Sequence, residues 1–245
     1  MSARDLLLEI GTEEIPAGFL PPAHSALREI ATEGLGRARL SFGEVSTFAT
    51  PRRLVLVVRG VAERQEDVTE ERVGPAVAAA YDAQGNPTKA AQGFARSQGV
   101  DVTELLRVDT EKGAYVAARR HVAGRPASEL LAELLPEWLG RIPFRKSMRW
   151  GSGEATFARP VHWVLALLGG EVIPFSFAGI ESGRTSRGHR FHSPGLLEVA
   201  GPEDYFRKLE AASVVVDAAA RKKSIAEQVE RAAAACGGKV LPDEE

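Results

Sequence analysis

The chain of 245 residues has a single cysteine, Cys236, which excludes an internal disulfide framework. No Cys/His group has zinc-ligand spacing, so a structural metal is not expected. Long apolar runs are also missing. Stretches such as Val161 to Leu168 are too short to span a bilayer, and the N-terminal Met1-Ser-Ala-Arg-Asp lacks the apolar core of a secretory signal, which leaves a cytoplasmic protein without membrane contact as the expectation. The phosphate-binding loop of NTPases, the dinucleotide fingerprint, the nucleophile elbow and the metalloprotease helix are all absent, as is any internal repeat.

What is present is 44% hydrophobic residues, enough for one sizeable core or two smaller ones, and a very uneven charge. Between Arg141 and His192 stand eight cations, Arg141, Arg145, Lys146, Arg149, Arg159, Arg184, Arg187 and Arg190, against three acids, Glu154, Glu171 and Glu181. That segment carries +5 in a chain whose net charge is −2, so the remainder carries −7. Clustered guanidiniums match phosphate oxygens in charge and in forked geometry, and the segment reads as a surface for a polyanion.

Leu6 to Ile10 reads as a short buried strand ended by Gly11, two acids and Pro16. A helix follows the Pro21-Pro22 start, with Leu20, Ala23, Leu27, Ile30, Ala31 and Leu35 on one face and Gly34 and Gly36 as its stop. Val45 to Ala49 and Arg53 to Val58 flank the turn at Thr50-Pro51 as two more strands. From Glu63 to Arg72 the chain turns acidic and polar and enters an insertion. There Pro87 to Gln98 is expected as a helix capped by Gly99, and Tyr115 to Val122 as a strand. A further helix begins near Pro126, with Leu130, Leu131, Leu134, Leu135, Trp138 and Leu139 on one side and Pro136 expected to kink or restart it. Two strands, Val161 to Leu168 and Val172 to Phe177, are joined by Gly169-Gly170 as a hairpin. Helices resume at Pro202 and after Asp217, whose side chain can cap a stripe of Ile225, Val229, Ala232, Ala233 and Cys236. Cys236 is read there as a small packed residue. That stripe needs something further to pack against, which suggests a fragment of a longer protein.

The expected fold is α+β: a mixed or antiparallel sheet with helices on one face, built from residues 1–60 and 126–200. A small α+β insertion, 61–125, interrupts it, and a helical exit, 201–245, follows.

Glu9, Glu13 and Glu14 lie at a strand end ahead of a helix, where acids belong on electrostatic grounds, although a metal or acid/base site could be built from such a group. His162 and His189 could each serve as a general base, but no carboxylate lies close in sequence to orient either. The binding motifs are stronger. Gly183-Arg-Thr-Ser-Arg-Gly-His-Arg190 spaces Arg184, Arg187 and Arg190 three apart, with hydroxyls between and two glycines for close backbone approach. Lys146, Arg149 and Trp150 set cations beside an indole on which a base could stack, unless Trp150 is ordinary core. Arg52 and Arg53 form a third basic pair, and Arg159, His162 and His189 complete the candidate surface.

Leu7-Leu-Glu-Ile-Gly-Thr-Glu-Glu-Ile-Pro16 resembles the opening of the β subunit of bacterial heterotetrameric glycyl-tRNA synthetase. The resemblance continues in order through Thr50-Pro-Arg-Arg-Leu54, Gly74-Pro-Ala76, Lys89-Ala-Ala91, Gly93-Phe-Ala-Arg96, Lys112-Gly113, Met148-Arg-Trp-Gly151, Arg159-Pro-Val-His162 and Arg187-Gly-His-Arg-Phe191. It implies that this chain has no catalytic residue or cofactor of its own. The class II site, with glycine, ATP and magnesium, would lie on a partner α subunit in an α2β2 tetramer, while this subunit engages glycine tRNA and continues into further domains. Two other readings remain open: a docking module for that complex with no tRNA contact, and an independent hydrolase using His162 or His189 with Glu14.

Overall fold

A computed structural model describes residues 2–242; Met1 and the last three residues of the expected helical exit, 243–245, lie outside the described residues. In chain order the first elements are strand β1 (Ala3–Thr12), helix α1 (Leu20–Arg37) and strands β2 (Val45–Thr50) and β3 (Arg53–Ala62). Then come β4 (Val68–Ala76), α2 (Val77–Ala80), α3 (Lys89–Gln98), β5 (Leu106–Thr110) and β6 (Gly113–Val122). The chain continues through α4 (Ala127–Arg141), β7 (Val161–Leu168), β8 (Glu171–Val172), β9 (Ser176–Phe177), β10 (Ile180–Gly183), β11 (Thr185–Arg187), β12 (Leu196–Glu198), α5 (Pro202–Ala211) and α6 (Ala218–Ala235). Two compact units result, one of residues 1–64 and 126–245, the other of residues 65–125. No helix among the described residues is long and apolar enough to cross a membrane.

The larger unit is an α+β sheet ordered β2-β3-β1-β7-β10-β9, with β8 also on β7. All pairings are antiparallel except β10 beside β7. Strand β1 is buried on both faces because its two sets of alternate residues serve two cores. Leu6, Leu8 and Ile10 pack with Leu27 and Leu35 of α1 and Leu131, Leu135 and Trp138 of α4. Leu7 packs with Val55, Val57, Leu165 and Leu167 under Tyr205 and Leu209 of α5. The expectation of helices on one face therefore needs correction: α5 closes the other face, and the segment from Pro202 begins as part of the core.

Other elements differ in detail for physical reasons. Helix α1 runs through Gly34 and Gly36 and stops only at Ala38, followed by Arg39 in the left-handed region. Gly34 is not a stop signal: the Trp138 indole of α4 lies against its Cα, where a Cβ would collide with the ring. Gly34→Ala should thus destabilise the protein by about 1–2 kcal/mol in denaturant unfolding, because overpacking outweighs the roughly 1 kcal/mol gain in helix propensity. Helix α4 is continuous through Pro136, its buried Leu130, Leu131, Leu135, Trp138 and Leu139 holding it together across the missing backbone bond. The hairpin at Gly169-Gly170 forms, but its second strand ends at Val172, and the chain then turns to pair β9 with β10. Asp217 caps α6 by accepting from the Ala219 and Ala220 amides at 2.8 and 3.2 Å. That helix buries none of its residues; Ile225 and Val229 are exposed, and Cys236 is exposed too, correcting its reading as a packed residue.

The smaller unit is an antiparallel sheet ordered β4-β6-β5, with α2 and α3 supplying a core around Ala80, Ala91 and Val116. Gly99 caps α3 in the left-handed conformation, at φ 70°. Phe94 lies over Gly74, where a Cβ would stand 2.6 Å from its ring, so two strings twenty residues apart in sequence form one contact.

Candidate nucleic-acid interface

The register of the large sheet decides which functional candidates meet. Gly11 is paired with Arg53 across β3 and with Trp163 across β7. The Gly11–Pro16 turn, the Thr50–Arg53 turn and the Arg159–Trp163 entry to β7 therefore lie at one end of the sheet. Gly11 is glycine because the Trp163 indole lies directly on it, leaving no room for a Cβ. Two guanidiniums then sit on that indole, Arg53 at 5.7 Å and Arg187 at 5.5 Å from the ring centroid.

Beneath them is a buried polar cluster. Glu9 is 0% exposed and Arg53 4%, with Arg53 Nη1 at 3.3 Å from Glu9 Oε1. Arg53 Nη2 donates to the Arg187 carbonyl at 3.0 Å, tying β3 to β11. Ser186, Trp163 and Tyr205 also face the Glu9 carboxylate, and their polar atoms are sequestered without closing to full hydrogen-bond geometry. Burial pushes the Glu9 carboxyl up, opposed by the Arg53 charge and by these three neighbours. Burial, joined by the charge of Glu9, pushes the Tyr205 hydroxyl well up. Two expectations change here. Arg53 cannot be a surface cation, because at the start of β3 it points to the face that α5 closes. Glu9 is not a helix-preceding surface acid but the buried counter-ion of Arg53.

A second set, partly buried or exposed, surrounds a cleft of about 320 Å³ lined by Arg52, His189, Arg190, Arg221 and Phe191, with Glu14 at its wall. It draws on the β2–β3 turn, the segment after β11 and the first turns of α6. Arg52 Nε is buried and has no hydrogen-bond partner among the described residues. Arg190 Nη2 is 3.0 Å from Glu14 Oε1, and its guanidinium lies 4.8 Å over the Phe191 ring. His189 Nδ1 accepts the amides of Phe191 and His192, each at 3.2 Å, which assigns the proton of the neutral ring to Nε2. Arg221 and Phe191 were not singled out from sequence. Arg221 lies 31 positions beyond Arg190 on a helix whose docking no local pattern reveals, and Phe191 would have required noticing an aromatic directly after a cationic run.

The remaining candidates are dispersed. Arg184, Arg187 and Arg190 do not form one clamp. Arg184 donates to the Gly170 carbonyl at 3.0 Å in the β7–β8 turn, Arg187 lies on Trp163, and Arg190 reaches Glu14. Their segment is not a glycine loop: Thr185–Arg187 is a strand paired with β12, and buried Gly188 makes room for Ser193 and Ala212 of this same chain. His162 does have a carboxylate, Glu13, at 2.9 Å from its Nε2, while Glu14 is engaged by Arg190, which removes the geometric basis for a His162–Glu14 hydrolase. Arg159 donates to the Ala158 carbonyl at 2.7 Å. Lys146 and Arg149 are exposed, and Trp150 is half-buried against the main core. Among the described residues no three His, Cys, Asp or Glu side chains gather closely enough to hold a metal ion.

The sequence model of the glycyl-tRNA synthetase beta subunit matches residues 6–245. Curated relatives named glycine-tRNA ligase beta subunit include those of Citrifermentans bemidjiense and Geobacter sulfurreducens, each 52% identical over 242 residues, 99% of this chain and 35% of the relative. That of Myxococcus xanthus is 50% identical over 242 residues, again 99% of this chain and 34% of the relative. The chain therefore spans about a third of the length of the relatives it matches. With a match of this extent, and with Gly11, Arg53, Trp163 and Arg187 of the matched region stacked as one unit, the chain belongs to the glycyl-tRNA synthetase beta subunit family.

Proposed function

We propose that this chain is a non-catalytic, tRNA-engaging part of a cytoplasmic glycine-tRNA ligase. Its partner α subunit would carry glycine, ATP and magnesium and perform the ATP-dependent glycylation, in an α2β2 assembly. The observation that carries this reading is the cleft, which gathers Arg52, Arg190 and Arg221 from three distant segments around an exposed aromatic ring. Beside Arg53, whose charge Glu9 offsets, three guanidiniums against the one carboxylate of Glu14 make a positive concavity. Lys146 and Arg149, exposed and without an ion pair among the described residues, extend the same chemistry.

Titration of glycine tRNA with rising salt tests the proposal. Affinity should fall steeply, and Arg52→Ala with Arg221→Ala should weaken binding while lowering the log–log salt slope by about 1 for each lost phosphate contact. A flat salt response would sink the reading. The docking alternative has its own support in α6, where Ile225 is 56% and Val229 47% exposed. If docking is the whole role, Arg187→Glu dissociates the α subunit and leaves tRNA affinity of the isolated chain unchanged.

A further inference from the structure

Phe191 is 75% exposed, a large apolar side chain held in solvent beside a positive cleft. Its exposure is built in. His189 is anchored through its amide to the Ala212 carbonyl at 3.0 Å, and its own carbonyl accepts the Ser193 amide at 2.8 Å. Within that turn the His189 ring accepts the amides of Phe191 and His192, which fixes the backbone and turns the phenyl group outward. Arg190 covers one face of the ring at 4.8 Å and the His189 ring stands 6.1 Å away, tilted by 52°, yet three-quarters of the residue remains in solvent. Ser213, which lines the cleft, holds a left-handed backbone at φ 62° that a serine adopts only where its surroundings impose it.

We propose that Phe191 and the Arg52–Arg190–Arg221 cleft form a site for one unpaired nucleotide, its base stacked on the exposed ring of Phe191 and its phosphate in the cleft. This deepens the tRNA reading and rests on it. A phenyl ring has no hydrogen-bonding atom with which to read a base, so it suits any base whose face is free. Inside a double helix both faces of each base are occupied by neighbours, and apart from the terminal pairs only unpaired ends, loops and bulges offer one. The pre-set turn keeps the ring in place before binding, which spares the entropy of ordering it.

The test measures binding of a short single-stranded oligoribonucleotide, and of a blunt RNA duplex with the same number of phosphates, to the full chain. Phe191→Ala should weaken the single strand about ten-fold and leave the duplex unchanged, Phe191→Trp should restore binding, and Phe191→Leu should not. Since the ring is on the surface, all three variants should unfold at the temperature of the parent. Equal weakening of both ligands, or full binding by Phe191→Leu, overturns the stacking site. Salt-dependent binding of both RNAs that ignores Phe191→Ala overturns this inference and leaves the tRNA reading standing. No binding of either RNA or of tRNA removes both. Loss of α-subunit association in Phe191→Ala with RNA affinity intact assigns the ring to a protein interface and overturns the site.

Discussion

Arg53→Ala should lower the free energy of unfolding by about 3–5 kcal/mol, because it strands the Glu9 carboxylate inside the protein without its counter-ion. Glu9 is 0% exposed and its carboxyl is already pushed up by burial, with Arg53 as the strongest influence holding it down. Without that cation the carboxyl rises further and takes up a proton on folding. A carboxyl whose folded value lies above its unfolded one, roughly 4.3, contributes stability that is present below the unfolded value and lost as pH rises through the folded one. The variant should therefore be least stable at neutral pH and recover part of its deficit in mild acid. Denaturant unfolding across that range reads both effects, and adding Glu9→Gln to Arg53→Ala should remove the pH slope. Equal stability of Arg53→Ala and the parent at neutral pH would show that the pair is not a structural element. Replacing both partners, Glu9→Leu with Arg53→Met, should be close to neutral for stability, since buried ion pairs are often matched by apolar packing. It would still cut the tie to the Arg187 carbonyl, so weaker RNA binding with unchanged stability would place Arg53 in positioning β11 and the cleft beside it.

Strands β1, β2, β3 and β7 were legible as short apolar runs bounded by turn signals, and α1 and α4 by their three-and-four spacing, because each of these elements carries its buried contacts in its own sequence. Strand β4 was not legible in this way. Val68–Ala76 is exposed or half-exposed along its length, so its sequence bears no trace of a buried side and reads only as polar. Glycines misled for a related reason. Gly34 and Gly188 look like a stop and a point of close backbone approach to a ligand, yet each is small because another group of this same chain, Trp138 or Ser193, occupies the space a side chain would take.

The candidate site was legible as a list of cations and not as an arrangement. Basic residues clustered in sequence separate in space, Arg184 to the far end of β7 and Arg190 to the Glu14 turn, because strand register and the β10–β11 turn decide direction. Conversely, Arg52 and Arg221 lie 169 positions apart and line one cleft. The fate of Arg53 turned on whether the second sheet face is covered, which depends on α5, some 150 residues onward.

Gly11→Ala should cost about 3 kcal/mol, the upper end for overpacking, although alanine is no worse than glycine for a strand. The Trp163 indole lies on Gly11 and is itself 7% exposed, so the ring has nowhere to retreat and must leave its rotamer or push β7 from β1. Either movement dislodges the two guanidiniums stacked on it, and Arg53 cannot shift without disturbing Glu9. The penalty belongs to the pair of residues, so it should shrink once the ring is gone. Against a Trp163→Leu background, Gly11→Ala should cost less than about 1 kcal/mol, a coupling of the size seen for residues in direct contact. Denaturant midpoints for the two single variants and the double variant give that coupling. Simple additivity would mean that the indole yields freely and that the stack on Gly11 does not fix Arg187. A large coupling, with RNA affinity lowered in Gly11→Ala even where the protein is fully folded, would tie the opening glycine of the strand end to the placement of the cations above it.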